Sequence, residues 1–356
     1  MRQHNPFATR SSQFRRSTFT LVRGSAVLPN VLKRVGYALL VILLVTFTTS
    51  MLMSLAPGST AEIILGEGAT PESIAALNAS LGLDRPVIVQ YLDWLRHAVQ
   101  GDLGVSPITH IPVTEAIMQR LPVTLELAVL ALLISLIIAV PLAVVSAALP
   151  DSALDRGINA LTSVFLAVPA FVAGPVLIFF FAVTFNLFPA LGWVPLSEGL
   201  GPNLRAAFLP ALAAALVEIA AFHRVLRGDL IGTLREDFVS AARAKGMSGS
   251  YVMFRHAFRP SSFSLLTISG LSLARLIGGT IIVESLFVLP GLGQLLATSI
   301  VQRDVITVQG IVAFIAVAFV VINATVDIGY GLIDPRVRKA PSAKKPAGAA
   351  RKVATA

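Results

Sequence analysis

A chain of 356 residues is long enough for two soluble domains, yet 55% of this one is hydrophobic and only 13% is charged, where a soluble domain carries about a quarter charged residues. The composition excludes an ordinary soluble protein and predicts one membrane domain with several spans. The net charge of +9 does not indicate nucleic-acid binding, because the lysines and arginines lie almost wholly in tails and loops between apolar segments. Without a cysteine, the chain forms neither disulfides nor thiolate metal sites.

The N-terminal segment, residues 1–34, is basic and contains no acid, which predicts a disordered cytoplasmic arm. Residues 35–333 follow as the transmembrane domain, and its first span is predicted at 35–55. A basic region before an apolar run is also typical of a secretory signal. This run, however, is longer than a signal core and fits an uncleaved spanning helix of about 20 residues.

Residues 56–122 form a polar insert with more acids than bases, predicted to lie outside the cell. Its first helix is predicted to start at Thr70 as the N-cap, with proline at the first helical position. A second helix is predicted over residues 86–101, with Tyr91 and Trp94 beside each other. This helix suits the membrane interface, and a small extracellular cap packed on itself suits the pattern equally well.

Five more spans complete the predicted domain, separated by short turns and by one long basic loop. Asp151 to Arg156 is predicted as a cytoplasmic turn, residues 186–203 as an outer re-entrant or interfacial loop, and residues 334–356 as a disordered basic cytoplasmic tail. Six spans place both termini and the basic loop on one side, as the positive-inside rule requires. The five spans are 123–149 with an interruption at Pro141, 158–185, 204–222, 263–289 and 305–333.

The long basic loop, residues 223–262, has far more residues than a turn needs, and its pattern predicts helix, glycine, helix. Glu236 and Asp237 lie at the start of the first helix and Arg243 and Lys245 at its end, which matches the helix dipole. Gly246 is predicted as a left-handed cap that ends this helix.

Small and apolar residues on the first loop helix suit docking to a partner. Ala241 and Ala242 leave the backbone bare for close approach, and Phe238 is the apolar anchor. Ser248 or Ser250 caps the second short helix. The alternative interpretation is an amphipathic helix that rests on lipid headgroups.

Ionisable residues inside membrane spans are costly and usually face a bundle interior or water. Arg275 is the deepest, about a dozen residues or ~20 Å into the fifth span. The others are placed toward the outer ends (Glu126 and Glu284) or toward the cytoplasmic ends (Glu218 and Asp327).

Gly270, Ala274 and Gly278 repeat every four residues beside Arg275, a stripe that permits close helix contact. Two roles for Arg275 stay open. It lines a path through the helix bundle, or it holds helices together by pairing with an acid. The stripe, together with Glu284, is a candidate pathway or helix interface.

The motifs of the chain resemble a known family when they are taken in order. Residues 240–246, Ser-Ala-Ala-Arg-Ala-Lys-Gly, with Arg-Pro at 259–260, resemble the EAA loop of binding-protein-dependent ABC importer permeases. The wider series resembles the B-type permease subunit of the dipeptide, oligopeptide and nickel importers, which also includes glutathione systems. It comprises Leu-Ala-Pro-Gly at 55–58, Leu-Gly-Leu-Asp-Arg-Pro at 81–86, Gly-Asp-Leu-Gly at 101–104, Leu-Pro-Val-Thr-Leu-Glu at 121–126, Val-Glu at 283–284, Pro-Gly-Leu-Gly at 290–293, Arg-Asp at 303–304 and Asp-Pro-Arg at 334–336.

The resemblance implies an all-α membrane protein of six transmembrane helices, the type I ABC importer permease fold, with a cytoplasmic coupling helix between helices 4 and 5. It implies an inner-membrane, non-catalytic subunit that moves peptides or similar ligands, with both termini cytoplasmic. The implied partners are a second related permease subunit in a heterodimer, cytoplasmic ABC ATPases, an extracytoplasmic substrate-binding protein and membrane lipid. Two positions depart from the family pattern, Ser240 where the loop has an acid and Val305 where tyrosine is common.

Energy for transport must come from outside this chain. The sequence contains no G-x-x-x-x-G-K-[ST] motif, so ATP and Mg²⁺ are expected on the partner ATPase and no cofactor or metal on this chain. An ion-driven secondary transporter would show inverted repeats and midplane carboxylates, neither of which is evident. A membrane enzyme is disfavoured because the five histidines are scattered and no H-E-x-x-H or G-x-S-x-G motif occurs.

Overall fold

The computed structural model describes residues 27–333, which form helices, turns and one isolated antiparallel bridge between Val105 and Pro112. Residues 1–26 and 334–356, which hold most of the predicted arm and the predicted tail, lie outside the described residues. The side chain of Asp327 is also outside them. Predictions for these parts stay predictions.

The described helices are numbered here in chain order. Helix α7 continues as a π-helical turn, Ile178–Thr184, and α10 continues through a second one, Val252–Phe258, into α11. The helices are α1 (Val27–Leu55), α2 (Thr60–Leu65), α3 (Pro71–Ser80), α4 (Val87–Ala98), α5 (Val113–Ala148), α6 (Ala153–Ala167), α7 (Ala170–Leu177), α8 (Leu200–Leu234), α9 (Asp237–Ala244), α10 (Gly249–Tyr251), α11 (Arg259–Gly279), α12 (Ile281–Phe287), α13 (Leu292–Val301) and α14 (Val305–Ile333).

Within the described range, five helices are long and apolar enough to cross a membrane. They are α1, α5, α8, the continuous helix Gly249–Gly279 and α14. Two bent helix pairs raise the number to as many as seven by length and composition. The described residues are therefore helical apart from turns and one bridge, and the chain is a multi-pass membrane protein.

The predicted second span was wrong in its start and in its interruption. Helix α5 starts at Val113 and runs unbroken to Ala148 through Pro122 and Pro141. A proline removes one backbone hydrogen bond, which membrane helices tolerate where neighbouring helices and hydroxyl groups satisfy the freed carbonyl. The helix therefore begins ten residues before the predicted end of the insert, 56–122.

The predicted third span, 158–185, is broken into two helical segments. Helix α6 ends at Ala167, and the next helical segment leaves at an angle of 107°. Val168 has φ −91° and ψ 113°, an extended conformation. The residue before a proline is pushed out of the helical region, so Pro169 explains the break.

The predicted fourth span, 204–222, lies within a longer helix. Helix α8 passes residue 222 and continues to Leu234, so Arg224 and Arg227 lie on a helix and not in the basic loop. Apolar composition predicted the earlier end, but the extra three turns are stabilised by polar contacts described below. The non-helical part of the predicted loop at 223–262 shrinks to the junctions around α9.

The predicted fifth span was wrong at its outer end. Helix α11 ends at Gly279, and the separate helix α12 meets α13 at a bend of 84°. The Pro-Gly-Leu-Gly sequence at 290–293 lies in this bend, as the sequence predicted. Helix α14 spans the predicted sixth segment.

The main core of the region from Leu44 onward lies between α5 and α8. Both helices place alanines at the contact, among them Ala131 and Ala139 on α5 and Ala211 and Ala215 on α8. Small residues let two helix backbones approach closely, which is how helices associate where lipid removes the hydrophobic driving force. This pair is the frame on which the candidate site is built.

The insert confirms the Thr70 cap, where Thr70 and Ser73 form a reciprocal capping box at the start of α3. On α4, Tyr91 is buried, and its hydroxyl lies 3.0 Å from Thr46 Oγ1 of α1. Trp94 Nε1 donates to the Leu103 carbonyl at 3.2 Å. Tyr91 therefore packs on α1, whereas Ile88 and Leu92 of the same helix are exposed.

Candidate functional site

Helix α9 and the short helix α10 form a compact hairpin between α8 and α11. Glu236 is the residue before α9, Asp237 lies in its first turn and Arg243 in its last. These charges face the helix dipole with the favourable sign at each end, as the sequence predicted.

The turn of the hairpin confirms the predicted glycine cap. Gly246 has φ +78°, and its N–H donates to the Arg243 carbonyl at 2.9 Å. Met247 N–H donates to the Ala242 carbonyl at 3.3 Å, which completes a Schellman motif. Ser248, rather than Ser250, caps α10 by accepting from the Tyr251 N–H. The turn is therefore fixed by backbone hydrogen bonds that need a left-handed residue.

The inner face of the hairpin packs on its own chain. Val239 and Ala242 of α9 are buried against Val252 and Leu234. Ala242, predicted to give a partner close access to the backbone, is therefore covered by this chain. Its small side chain serves to close α9 onto the following helix.

The outer face of the hairpin, which we define as Phe238, Ala241, Met247 and Tyr251 together with Phe254 of the π-helical turn that follows α10, is exposed. Phe238 is 49% exposed and Phe254 is 61% exposed. Ala241, Arg243 and Gly246 are also exposed. Large apolar side chains gathered on an otherwise polar hairpin are typical of a protein–protein contact.

Arg275 pairs with a carboxylate on the neighbouring helix α8. Its Nη2 donates to Glu218 Oε2 at 3.0 Å and to Ser272 Oγ at 2.7 Å, and Ser272 donates to the same Glu218 oxygen at 2.6 Å. Glu218 is buried, whereas the Arg275 side chain is 55% exposed. The contact joins α11 to α8 and leaves one side of the guanidinium open.

This pair corrects the predicted depth of Glu218. The sequence placed Glu218 near the cytoplasmic end of its span and Arg275 deep, but a 3.0 Å contact puts both groups at one level. Glu218 lies near the middle of α8 and not near its end. Helix α8 runs about 16 residues, or ~24 Å, beyond Glu218.

The stripe of small residues faces α14. A Cβ built on Gly270 would lie 2.6 Å from Val326, and one on Gly278 would lie 3.5 Å from Ile315. Ala274, between them, is buried. The structure thus places this stripe at a helix interface, beside Arg275.

Glu284 is fully buried and organises the bend between α12 and α13. Its Oε1 accepts from the Thr280 hydroxyl at 2.8 Å, and its Oε2 accepts from the N–H groups of Gly293 at 2.7 Å and Gln294 at 3.3 Å. A carboxylate at a helix N-terminus satisfies unpaired N–H groups and the dipole together. In this structure Glu284 therefore lies at the interface between α12 and α13.

The glycines of the bend are required by this arrangement. A Cβ on Gly293 would overlap the Ile281 backbone, and a Cβ on Gly291 would overlap the Glu284 carboxylate. Leu292 N–H donates to Thr124 Oγ1 of α5 at 2.9 Å. The Pro-Gly-Leu-Gly motif therefore packs around the Glu284 carboxylate and is hydrogen-bonded to α5.

A buried polar cluster near the C-terminal end of α8 was not predicted from the sequence. Arg227 donates to Asp155 twice, from Nε at 2.8 Å and from Nη2 at 2.6 Å. Asp155 also accepts from Asn159 Nδ2 at 2.7 Å, from Asp151 N–H at 3.0 Å and from the Ser146 hydroxyl. The available signal was a pair of acids, Asp151 and Asp155, in the stretch 151–156 predicted as a turn, together with an arginine assigned to a loop; the structure places Asp155 in the first turn of α6.

Comparison with known proteins agrees with this architecture. Residues 139–339 match the binding-protein-dependent transport system inner membrane component family, and residues 27–128 match the N-terminal region of such membrane components. A putative peptide transport system permease protein of Brucella abortus is 41% identical over 308 residues, with 86% of this chain and 98% of the relative covered.

Two further relatives have the same coverage, 86% of this chain and 98% of their own. They are the oligopeptide transport system permease protein AppB of Bacillus subtilis, at 34% identity, and the dipeptide transport system permease protein DppB of Escherichia coli, at 32%. The chain therefore belongs to the family of binding-protein-dependent transport system inner membrane components, among the peptide importer permeases.

Proposed function

We propose that this protein is the permease subunit through which an ATP-driven importer moves peptides from an extracytoplasmic binding protein into the cytoplasm. The names of its relatives support the substrate class, and nickel or glutathione remains the alternative cargo from the sequence motifs. The observation that carries the proposal is the hairpin α9–α10, a rigid polar turn that presents an apolar outer face between two membrane helices.

We propose six spans, with the bent pair α6–α7 as the third and the pair α12–α13 as a re-entrant hairpin. Two hydrogen bonds support placing the insert and the start of α14 on the same side of the membrane. Thr60 Oγ1 donates to the Arg303 carbonyl at 2.6 Å, and Ser106 Oγ donates to Asp304 Oδ2 at 2.5 Å. The Asp155–Arg227 contact likewise supports placing the turn before α6 and the end of α8 on the same side of the membrane. Basic residues cluster around the hairpin, which favours the cytoplasm for that side.

The absence of cysteine makes this topology directly testable. Ser80→Cys in the insert and Ser240→Cys in the hairpin are both at exposed positions. We expect a membrane-impermeant maleimide to label only Ser80→Cys in intact spheroplasts and Ser240→Cys in inverted vesicles. Labelling of both from the same side would contradict the six-span arrangement.

In this proposal α9 is the coupling helix that seats on a cytoplasmic ABC ATPase. ATP and Mg²⁺ bind that partner, and this chain is not catalytic. Closure of the ATPases pushes the hairpin, and the Schellman turn transmits the push because its backbone is fixed. A second, related permease subunit completes the path, and Arg275 holds α11 to α8 through Glu218.

The coupling role is tested at the glycine cap. Gly246→Pro cannot adopt φ +78°, because proline fixes φ near −65°. We expect normal membrane insertion, residual ATP hydrolysis by the co-purified ATPases and loss of peptide uptake. Phe254→Ser on the outer face should weaken ATPase co-purification, with Leu154→Ser, an exposed apolar residue outside the hairpin, as the control. Wild-type uptake by Gly246→Pro would refute the coupling role.

A further inference from the structure

A polar cavity of about 270 Å³ lies under the insert, between the end of α1, the helices α2 to α4 and the start of α14. It takes no part in the coupling contact proposed above. Its wall combines two arginines with hydroxyl and amide side chains, namely Ser50, Ser54, Ser59, Thr60, Asn78, Arg85, Gln90 and Arg303.

The charge of this wall is unbalanced. Arg85 and Arg303 line the cavity, and no aspartate or glutamate does. Arg85, however, pairs with Asp93 outside the lining, Nη1 to Oδ2 at 3.2 Å, and Glu62 Oε2 accepts from the Ser59 N–H at 3.3 Å. Among the described residues, the unbalanced charge of the wall is therefore that of Arg303.

Arg303 is the residue that makes the cavity unusual. It is half-buried, and among the residues described here no carboxylate lies within ion-pair distance of its guanidinium. Its backbone is held at φ +57°, a conformation that non-glycine residues rarely adopt, with its carbonyl bound by Thr60. A partly desolvated cation without a counter-charge is costly, so a bound anion would relieve that cost.

Asn78 adds a second, independent requirement. Its Oδ1 is buried without a hydrogen-bond partner, and the residue lines the same cavity. A ligand that satisfies the wall needs an anionic oxygen for Arg303 and an N–H or O–H donor for this amide. A phosphate ester with a neighbouring hydroxyl or ammonium group has both.

We propose that this cavity binds the phosphate headgroup of a phospholipid from the leaflet that the insert covers. The position supports a lipid, because the wall includes the last turns of α1, where a spanning helix meets the membrane surface. Arginine recognises phosphate through parallel N–H donors. The headgroup would brace the insert against the start of α14.

The test is native mass spectrometry of the full-length protein released from a phosphate-free detergent. One arm titrates short-chain dihexanoyl phosphatidylglycerol and the other titrates inorganic phosphate. We expect one lipid to bind saturably, and Arg303→Gln to weaken it about tenfold, the effect of losing one hydrogen bond to a charged group. Arg303→Lys should retain most of the binding because it keeps the charge.

Arg96→Gln is the matched control, an exposed arginine of α4 that does not line the cavity. Unchanged lipid binding in Arg303→Gln, or equal loss in Arg96→Gln, would overturn the site. Binding of inorganic phosphate without binding of lipid would overturn the lipid source. If Arg303→Gln does not elute as a single species, Arg85→Gln replaces it, with the same expected loss of lipid.

Discussion

Removing Arg227 should destabilise this protein more than removing its partner, although both take part in one ion pair. Asp155 is almost fully buried, whereas the Arg227 side chain is 24% exposed. Arg227→Met leaves a buried carboxylate with only neutral donors around it. Asp155→Asn leaves an arginine that still reaches water, and the new asparagine keeps an oxygen that accepts from Ser146.

The cost of each substitution in unfolding free energy depends on which charged group is left without its partner. An uncompensated buried charge costs about 3–5 kcal/mol when its partner is removed. Loss of a hydrogen bond to a charged but accessible group costs about 1–3 kcal/mol, which we expect for Asp155→Asn. The double variant carries no charge at this place. Its loss of unfolding free energy should therefore be about 2 kcal/mol smaller than the sum of the losses in the two single variants.

The assay is unfolding of the purified chain in mixed micelles, with increasing denaturing detergent and retained helix as the readout. Arg224→Met is the control, because Arg224 is exposed one turn earlier on the same helix. It should change the unfolding free energy by no more than about 0.5 kcal/mol. The reasoning is refuted if Arg227→Met costs no more than Asp155→Asn, or if the two changes simply add.

Three further predictions concern the helix interfaces. Glu284→Ala should lower the yield of folded protein more than Glu284→Gln, which keeps an acceptor for the buried N–H groups; the difference, about 1–3 kcal/mol, is measured by the same unfolding assay. Gly293→Ala should prevent folding because the new Cβ meets backbone, whereas Gly278→Ala, with its nearest neighbour at 3.5 Å, should be tolerated, and size-exclusion profiles distinguish the two. Arg275→Ala should lower protein level and uptake together; loss of uptake at a normal protein level would assign Arg275 to the translocation path.

Local sequence signals predicted the parts of the candidate site that depend on neighbouring residues. The helix around 237–244 needs its dipole-matched charges, and the turn after it needs a residue with positive φ, which Gly246 supplies. The Thr70 cap belongs to the same class. Each of these features is settled within one or two helical turns.

Ends and breaks of the membrane helices were predicted less well, because apolar composition measures only contact with lipid. Helix α8 continues past residue 222 since Arg227 finds Asp155 on another helix, a partner that no local pattern shows. The break at Pro169 was available from the sequence, whereas the unbroken course of α5 through Pro141 was not. The same kind of residue ended one helix and was accommodated in another.

What the amino-acid sequence determined by itself was the class of protein, the position of its apolar helices and the turn chemistry of the hairpin, because hydropathy, caps and positive φ are local properties. Only the tertiary structure decided which face of α9 is free, since Ala242 and Ala241 are neighbours in sequence and one is covered by Val252. It also decided the partners of Arg275 and Glu284. A buried charge requires a counterpart from elsewhere in the chain, and that counterpart is fixed only when the helices pack.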